Sequence, residues 1–555
     1  MGYADKPWLA HYPAHVPPHL DYPEISLGQL LAETARRKPD GTAVRLGSFR
    51  MTYRELHGAA AAFAAGLQRL GVKKGDRIAL MLPNLPQYVI AYYGAMIAGA
   101  IVAQVNPLYV ERELEHLLND SGAEVIVALD ALMPRVEAVR GRTRLRRAIV
   151  VRTPGAGAAG APAGAEPAGP DVPFALPFEA VAVPAAPAPV EIDPKEDVAV
   201  LQYTGGTTGT SKGAMLTHFN LAANALQIAT WVSDILGEDE VILTALPLFH
   251  SYGMTVCMNF AVHTGGTMLL VPRFEPQAVM DLIRAFRPTS FPGVPTMYVA
   301  INNLPGVTPE DLSSLRVCNS GGAAMPVEVM REFERRTGAT VVEGYGLSEA
   351  SPVTHTNPTT GLRKPGSIGL PVPDTECRIV DLDTGERDVP VGEIGELCIR
   401  GPQVMKGYWN RPEETAEALR DGWLYTGDIA RMDDDGYFYI TDRKKEMIIA
   451  GGYNVYPREV EEVLFAHPGV KEAAVVGIPD PYRGETVKAF VVPKPGVTLT
   501  ADELAAHCRA HLAAYKVPRA YEFRDDLPKS MVGKVLRRVL REEELARRRE
   551  GQAGA

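Results

Sequence analysis

The run "YTGGTTGTSKGAM", Tyr203–Met215, decides how the surrounding chain folds. "EDVAVLQY" leads into it as a β-rich run, and "LTHFNLAANALQIATWV" follows as a helix with Thr217 at its N-cap. Strand, glycine-rich loop and helix in succession belong to an α/β architecture. The glycines allow close backbone approach, and amides, hydroxyls and a lysine supply donors, so the loop suits a phosphate. A P-loop, G-x-x-x-x-G-K-[ST], puts its lysine directly after a glycine. Here Lys212 follows Ser211 and precedes Gly213. That register speaks against a kinase or ATPase loop.

Outward from this run, the first 150 residues alternate strand and helix patterns: "DRIALML" (strand), "LPQYVIAYYGAMIAG" (helix), "EVIVAL" (strand). The uncharged stretch Tyr88–Val105 is long enough to mimic a membrane span. Its flanking turns and internal glycines read better as a buried helix running into a buried strand. Thr153–Pro194 is rich in alanine, proline and glycine and reads as a flexible surface insertion. Near Asp442 the texture changes to a smaller unit of strands and helices ending in a charged tail, "LRRVLREEELARRRE", read as a solvated helix. The expected division is residues 1–441 and 442–555, with 153–194 as the insertion.

A chain of 555 residues is too long for one compact core. The net charge of -10 argues against a nucleic-acid partner, which favours a basic face. Five scattered cysteines (Cys257, Cys318, Cys377, Cys398, Cys508) form no CxxC pair, which fits a reducing cytoplasm and excludes a zinc ribbon. The N-terminal residues carry no apolar signal-peptide core.

Further motifs follow the loop in order: "ALPLFHSYGM" (Ala245–Met254), "NSGGAAMP" (Asn319–Pro326), "EGYGLSEASPV" (Glu343–Val353), "YTGD" (Tyr425–Asp428), "DRKKEMIIAGGYNVYPREVEEVL" (Asp442–Leu464) and "PKSMVGKVLRR" (Pro528–Arg538). Together with the loop, this series resembles the adenylate-forming superfamily of acyl-CoA synthetases, luciferases and adenylation domains, over nearly the whole chain. The resemblance implies a large N-terminal domain of α/β subdomains with parallel-rich sheets, plus a small, mobile α+β C-terminal domain. It also implies a two-step reaction. A carboxylate attacks the α-phosphate of ATP to give acyl-adenylate and pyrophosphate, and a thiol, usually of CoA, then attacks the acyl carbon and releases AMP.

Roles follow residue by residue from that resemblance. Thr204, Gly205, Gly206, Thr207, Thr208, Gly209 and Lys212 would hold the β- and γ-phosphates. Gly321, Gly322 and Ala323 would form a wall against the base and the acyl carboxylate, and Gly344, Tyr345, Gly346 and Leu347 would carry the adenine. Ser348 stands where the family commonly has threonine and keeps the hydroxyl for the α-phosphate. Glu349, with Thr204, would ligate Mg²⁺ through hard oxygens. Asp428 would accept from both ribose hydroxyls, with Arg443 beside it. Asp442 would be the hinge, Gly451 and Gly452 the side-chain-free path for the pantetheine arm, and His250 a neighbour of the acyl carboxylate. Lys534 would bridge carboxylate and α-phosphate, lowering the repulsion between two anions.

Several stretches look most like bacterial long-chain fatty acid–CoA ligases: "KPWLAHYP", Asn106–Ala123, Asn454–Val492 and "EGYGLSEASPV". The prospective acyl pocket, "HSYGMTVCMNFAVHTGG" with "TSFPGVPTMYVAI", is apolar, which favours a hydrocarbon chain. Medium-chain or aryl acid–CoA ligases, acyl-carrier-protein ligases and luciferase-like oxygenases stay open within the superfamily. A kinase or ATPase is disfavoured by the register of Lys212, and a catalytically dead scaffold because Glu349, Asp428 and Lys534 are all present. The expected partners are fatty acid, ATP and CoA, in the cytoplasm, with peripheral contact at the inner membrane face and a homodimer both left open.

Overall fold

The protein is described by a computed structural model covering residues 2–152, 174–204, 211–237, 239–450, 453–480, 483–530 and 533–553. Internal contacts divide it into two compact units. One comprises Trp8–Glu376 and Ile399–Leu424; the other comprises Cys377–Cys398 and Tyr425–Ala555 with Met1–Pro7.

Two large sheets build the first unit. The eight-stranded sheet runs in the order Gly407–Tyr408, Lys212–Thr217, Val198–Thr204, Ile101–Gln104, Arg77–Met81, Val125–Leu129, Arg147–Val151, Ala175–Pro177. From Val198–Thr204 to Ala175–Pro177 every pairing is parallel, and the two edge pairings at the other end are antiparallel. The nine-stranded sheet follows the order Leu370–Pro371, Val353–Thr356, Thr340–Gly346, Val317–Ser320, Ser290–Gly293, Val241–Thr244, Thr267–Leu270, Thr42–Leu46, Phe49–Thr52. Its centre is parallel too. Parallel strands are covered on both faces, which is why their sequences run apolar without alternation: Ile78, Ala79, Leu80 and Met81 are all fully buried.

The membrane-like stretch resolves into the helix Pro86–Ile97 and the strand Ile101–Gln104, as its turn signals indicated. Pro86 sits in the first helical turn, where a missing N–H costs nothing, and Gly99 at φ 72° turns the chain toward the strand. Among the described residues no helix is long and apolar enough to cross a membrane.

The alanine- and proline-rich insertion departs from expectation at its end. Residues 153–173 lie outside the described residues. Ala175–Pro177 adds a parallel strand to the sheet edge, and Phe178 stacks on Phe63 at 5.0 Å between ring centroids. Val181 is buried against Gly66, where a Cβ would stand 2.1 Å from the Val181 carbonyl oxygen. Leu176, Phe178 and Val181, all buried, anchor what composition alone assigned to the surface.

The second unit carries a sheet ordered Tyr453–Val455, Ile448–Ala450, Gly484–Pro493, Val470–Asp480, with Ala520–Phe523 parallel to Gly484–Pro493. Along Gly484–Pro493 side chains alternate between two cores. Val487, Ala489 and Val491 meet Val460, Leu464, Leu504 and Cys508; Phe490 and Val492 meet Leu527 and Leu540. Leu540 and Glu544 of the terminal helix Arg537–Ala553 are buried, so the charged tail is packed on one side and not wholly solvated as expected. Asp442 lies inside this second unit.

Candidate active site

In an open α/β sheet, ligands bind beyond the carboxyl ends of the parallel strands. That is where the sequence motifs fall in the first unit. Thr204 ends Val198–Thr204, Asn319–Gly322 leaves Val317–Ser320, and Glu343–Leu347 ends Thr340–Gly346. The motif holding His250 follows Val241–Thr244.

At the root of the expected phosphate loop the strands Val198–Thr204 and Lys212–Thr217 run antiparallel, with Thr204 paired to Lys212. Gly205, Gly206, Thr207, Thr208 and Gly209 lie outside the described residues. The root is closed by the Ser211 hydroxyl, which donates to the Thr204 carbonyl at 2.7 Å. His116 Nε2 lies 3.1 Å from the Ser211 carbonyl oxygen. Tyr203 donates to Asp120 at 2.8 Å, and burial with the Asp120 charge pushes its hydroxyl pKa up, so it stays a donor. Beyond the hairpin, Thr217 caps the helix His218–Trp231 and accepts from Asn220 N–H, as the sequence indicated.

A short segment missed by sequence reasoning runs across this root. Gly407–Tyr408 pairs antiparallel with the exit strand, Tyr408 opposite Ala214. Arg411 pairs with Asp120 at 3.1 Å, and the Met405 N–H donates to the Glu349 carbonyl at 2.8 Å. The Tyr408 hydroxyl donates to Glu349 Oε1 at 2.8 Å, and Lys212 Nζ lies 5.0 Å from the centre of the Tyr408 ring. In the sequence, "KGYWNRP" reads only as a turn between longer motifs.

Glu349 and Ser348 sit in the turn Ser348–Ala350, with Ser348 Oγ 3.1 Å from Ser251 Oγ. Gly346 admits no side chain: a Cβ there would lie 2.2 Å from the Pro352 carbonyl oxygen. The Tyr345 ring meets His355 edge-on at 5.9 Å, and burial drives the His355 pKa down to about 3, so the imidazole is neutral. Gly321 rests on the Tyr252 ring, where a Cβ would meet Cζ at 3.0 Å; Gly322, at φ 78°, and Ala323 are exposed. Gly344 faces the Asn319 amide. Nδ1 of His250 accepts the Tyr252 N–H at 3.2 Å and so caps the turn leading into a fully buried π-helical segment, Met254–Asn259. Phe260, Ala261 and Val262, which follow that segment, are buried as well.

For Mg²⁺ the first unit offers one carboxylate and one hydroxyl, Glu349 and Thr204. Glu349 Oε2 takes no hydrogen bond among the described residues, and no cluster of three or more ligating side chains occurs there. Such a donor set fits an ion held mainly by phosphate oxygens, because Mg²⁺ takes few protein ligands when bound with a nucleotide.

The second unit gathers the other predicted residues. Asp428 and Arg443 face each other on paired strands and form an ion pair at 3.3 Å. Lys534 follows Gly533, at φ 70°, on a tight turn closed by Ser530 N–H to the Lys534 carbonyl (2.8 Å) and Lys534 N–H to Ser530 Oγ (3.2 Å). Burial, then Arg443, pushes its pKa down to about 8, against the pull of Glu446 and Asp428. Asp442 is buried, and desolvation raises its pKa to about 6 although Arg537 and the Arg458 and Arg443 N–H groups favour its anion. Arg537, which sequence reasoning passed over, binds Glu461 with two nitrogens, reaches Glu446 and lies 3.9 Å from Asp442. Gly451 and Gly452 lie outside the described residues.

Residues 31–409 match the AMP-binding enzyme family and residues 459–534 match the AMP-binding enzyme C-terminal domain. The chain belongs to this family. It is 48% identical to a long-chain-fatty-acid–CoA ligase of Bacillus subtilis (strain 168), over 98% of each chain. It is 45% identical to a ligase of the same description from Salmonella typhimurium, over 97% of this chain and 98% of the other. Among solved structures, ATP-bound MatB from Rhodopseudomonas palustris superposes with a TM-score of 0.84 at 32% identity, covering 94% of this chain and 99% of that one. The mixed, parallel-rich sheets followed by a smaller C-terminal part are thus those of an AMP-binding enzyme.

Proposed function

We propose that this AMP-binding enzyme activates a long-chain fatty acid with ATP and passes the acyl group to CoA. The observation that carries it is the near-full-length match to a fatty-acid–CoA ligase, joined to an apolar π-helical wall beyond His250. In the first step the carboxylate oxygen bonds to the α-phosphorus and pyrophosphate leaves. In the second, the thiol sulfur bonds to the acyl carbon, AMP leaves and the thiol proton passes to solvent.

The phosphate hairpin and Lys212 grip the departing pyrophosphate, and Ser348 donates to the α-phosphate. Tyr345 offers its face to adenine, and Gly346 lets the backbone pass close because nothing larger fits there. Glu349 and Thr204 would hold Mg²⁺, which would supply charge neutralisation on the phosphates. Asp428 binds the ribose diol beside Arg443, and Lys534 brings its cation to the two approaching anions. His250 borders the acyl carboxylate, held by its bond to Tyr252 N–H. Asp442 serves as the pivot of the small domain, with Gly451 and Gly452 on the path of the pantetheine arm. The five cysteines are buried thiols, which suits a reducing cytoplasm; contact with the inner membrane face would be peripheral.

The test is release of AMP and pyrophosphate across carboxylic acids of increasing chain length, with and without CoA. Long-chain acids should give AMP and, with CoA, the thioester. Formation of ADP, or a preference for short aromatic acids, would overturn the proposal.

A further inference from the structure

Tyr408 is the residue on which the two halves of the phosphate grip converge. Its hydroxyl donates to Glu349 Oε1 at 2.8 Å, and Lys212 Nζ lies 5.0 Å from the centre of its ring. The segment that carries it is fixed at several points. Tyr408 N–H donates to Thr415 Oγ1 at 2.9 Å, Trp409 N–H to the Gly213 carbonyl at 2.8 Å, and Arg411 pairs with Asp120. All of these groups lie in one compact unit.

A glutamate loses rotamer freedom when it is fixed. A carboxylate already tied through one oxygen has met that cost before a cation arrives. Hydrogen-bond partners behind a ligating group orient it, and their loss costs roughly 10–100-fold in metal affinity. The Tyr408 phenol is the donor in the bond to Glu349. The same ring attracts the Lys212 ammonium through its π face.

We propose that Tyr408 is a positioning residue for the metal–triphosphate end of the substrate, aiming Glu349 Oε2 at the divalent cation and seating Lys212 beside the phosphates. The proposal rests on Glu349 as the Mg²⁺ ligand. Tyr408 acts through its two neighbours, Glu349 and Lys212.

The test uses the full chain, Mn²⁺ as the probe and a non-hydrolysable α,β-methylene ATP, with Mn²⁺ binding read by electron paramagnetic resonance. Tyr408→Phe removes the hydroxyl and keeps the ring. It should weaken Mn²⁺ binding to the enzyme–analogue complex about 10-fold and leave metal-free binding of the analogue unchanged. Tyr408→Leu should weaken both. Thioester formation from supplied acyl-adenylate should be retained in both variants, which reports an intact fold. In a Glu349→Gln background, Tyr408→Phe should add nothing. If Tyr408→Phe binds Mn²⁺ as the parent does while Glu349→Gln does not, the proposal for Tyr408 falls and Glu349 keeps its role. If Glu349→Gln also binds normally, the metal role of Glu349 falls and the proposal with it. An equal Mn²⁺ loss from Tyr408→Phe with and without Glu349 would also overturn it, because the effect would not pass through Glu349.

Discussion

Replacing Arg537 with methionine should destabilise the second unit in a pH-dependent way. The guanidinium side chain is 20% exposed, and its partners Glu461, Glu446 and Asp442 are 9%, 20% and 1% exposed. Removing one partner of a buried ion pair costs about 3–5 kcal/mol, because the charge left behind is uncompensated. Here Asp442 keeps the N–H groups of Arg443 and Arg458, Glu461 keeps that of Val475, and Glu446 keeps the nearby Lys534 and Arg443 charges. The low end, about 3 kcal/mol, is therefore expected at pH 8. Burial alone would raise the Glu446 pKa, but Arg537, with Lys534 and Arg443, holds it below the ordinary value. A depressed carboxylate contributes stability above its unfolded pKa and loses it as pH falls through the folded one. Without Arg537 that contribution shrinks, and the carboxylates take up protons at higher pH. Asp442, already at about 6 with Arg537 present, protonates first. The difference between parent and variant should thus be full above pH 7 and fall to roughly 1 kcal/mol near pH 5. Two compact units make global unfolding a poor measure. Hydrogen exchange of peptides covering Pro457–Phe465 and Val470–Asp480 reads the local opening energy instead. A loss below about 1 kcal/mol at pH 8, or an equal loss at both pH values, would refute the reasoning.

Lys534→Ala should abolish adenylate formation and spare thioester formation from supplied adenylate, measured as separate half-reactions. With its pKa pushed down to about 8, Lys534 is half-protonated near pH 8, gains charge below it and loses charge above it. Adenylation at low substrate should accordingly decline as pH rises through about 8, and Lys534→Arg should flatten that decline. Gly346→Ala forces a Cβ to 2.2 Å from the Pro352 carbonyl oxygen. It should cost about 1–3 kcal/mol of stability and weaken ATP binding, as read by thermal unfolding and titration. Asp428→Ala should erase the enzyme's preference for ATP over 2′-deoxy-ATP. Loss of a charged hydrogen bond of about 1.5–3 kcal/mol predicts a roughly 10–100-fold change, and an undiminished preference would remove Asp428 from the ribose.

Much was legible in the order of the motifs. The strand, loop and capped helix around Tyr203–Met215 are local signals, and Thr217 caps its helix through its own Asn220. The apolar run of Arg77–Met81 and the helix-to-strand turn at Gly99 are local too. The anchoring of Ala175–Val181 was not legible, because Phe178 and Val181, set among alanines and prolines, reveal nothing until Phe63 and Gly66 are brought against them. The terminal helix misled for a related reason. Its charges dominate the sequence, while the single Leu540 decides which side is buried.

The sequence by itself determined the family, the two-step chemistry and most of the candidate residues, because backbone-binding loops and charged ligands must keep their residue types in order along the chain. Only the tertiary structure decided which side chains hold those ligands in place. Arg411 and Asp120 stand 291 positions apart, and Tyr408 reaches Glu349 only because a two-residue strand pairs with the exit of the phosphate hairpin. Strand pairing and burial set such contacts, and neither leaves a periodic trace in a tyrosine flanked by glycine and tryptophan.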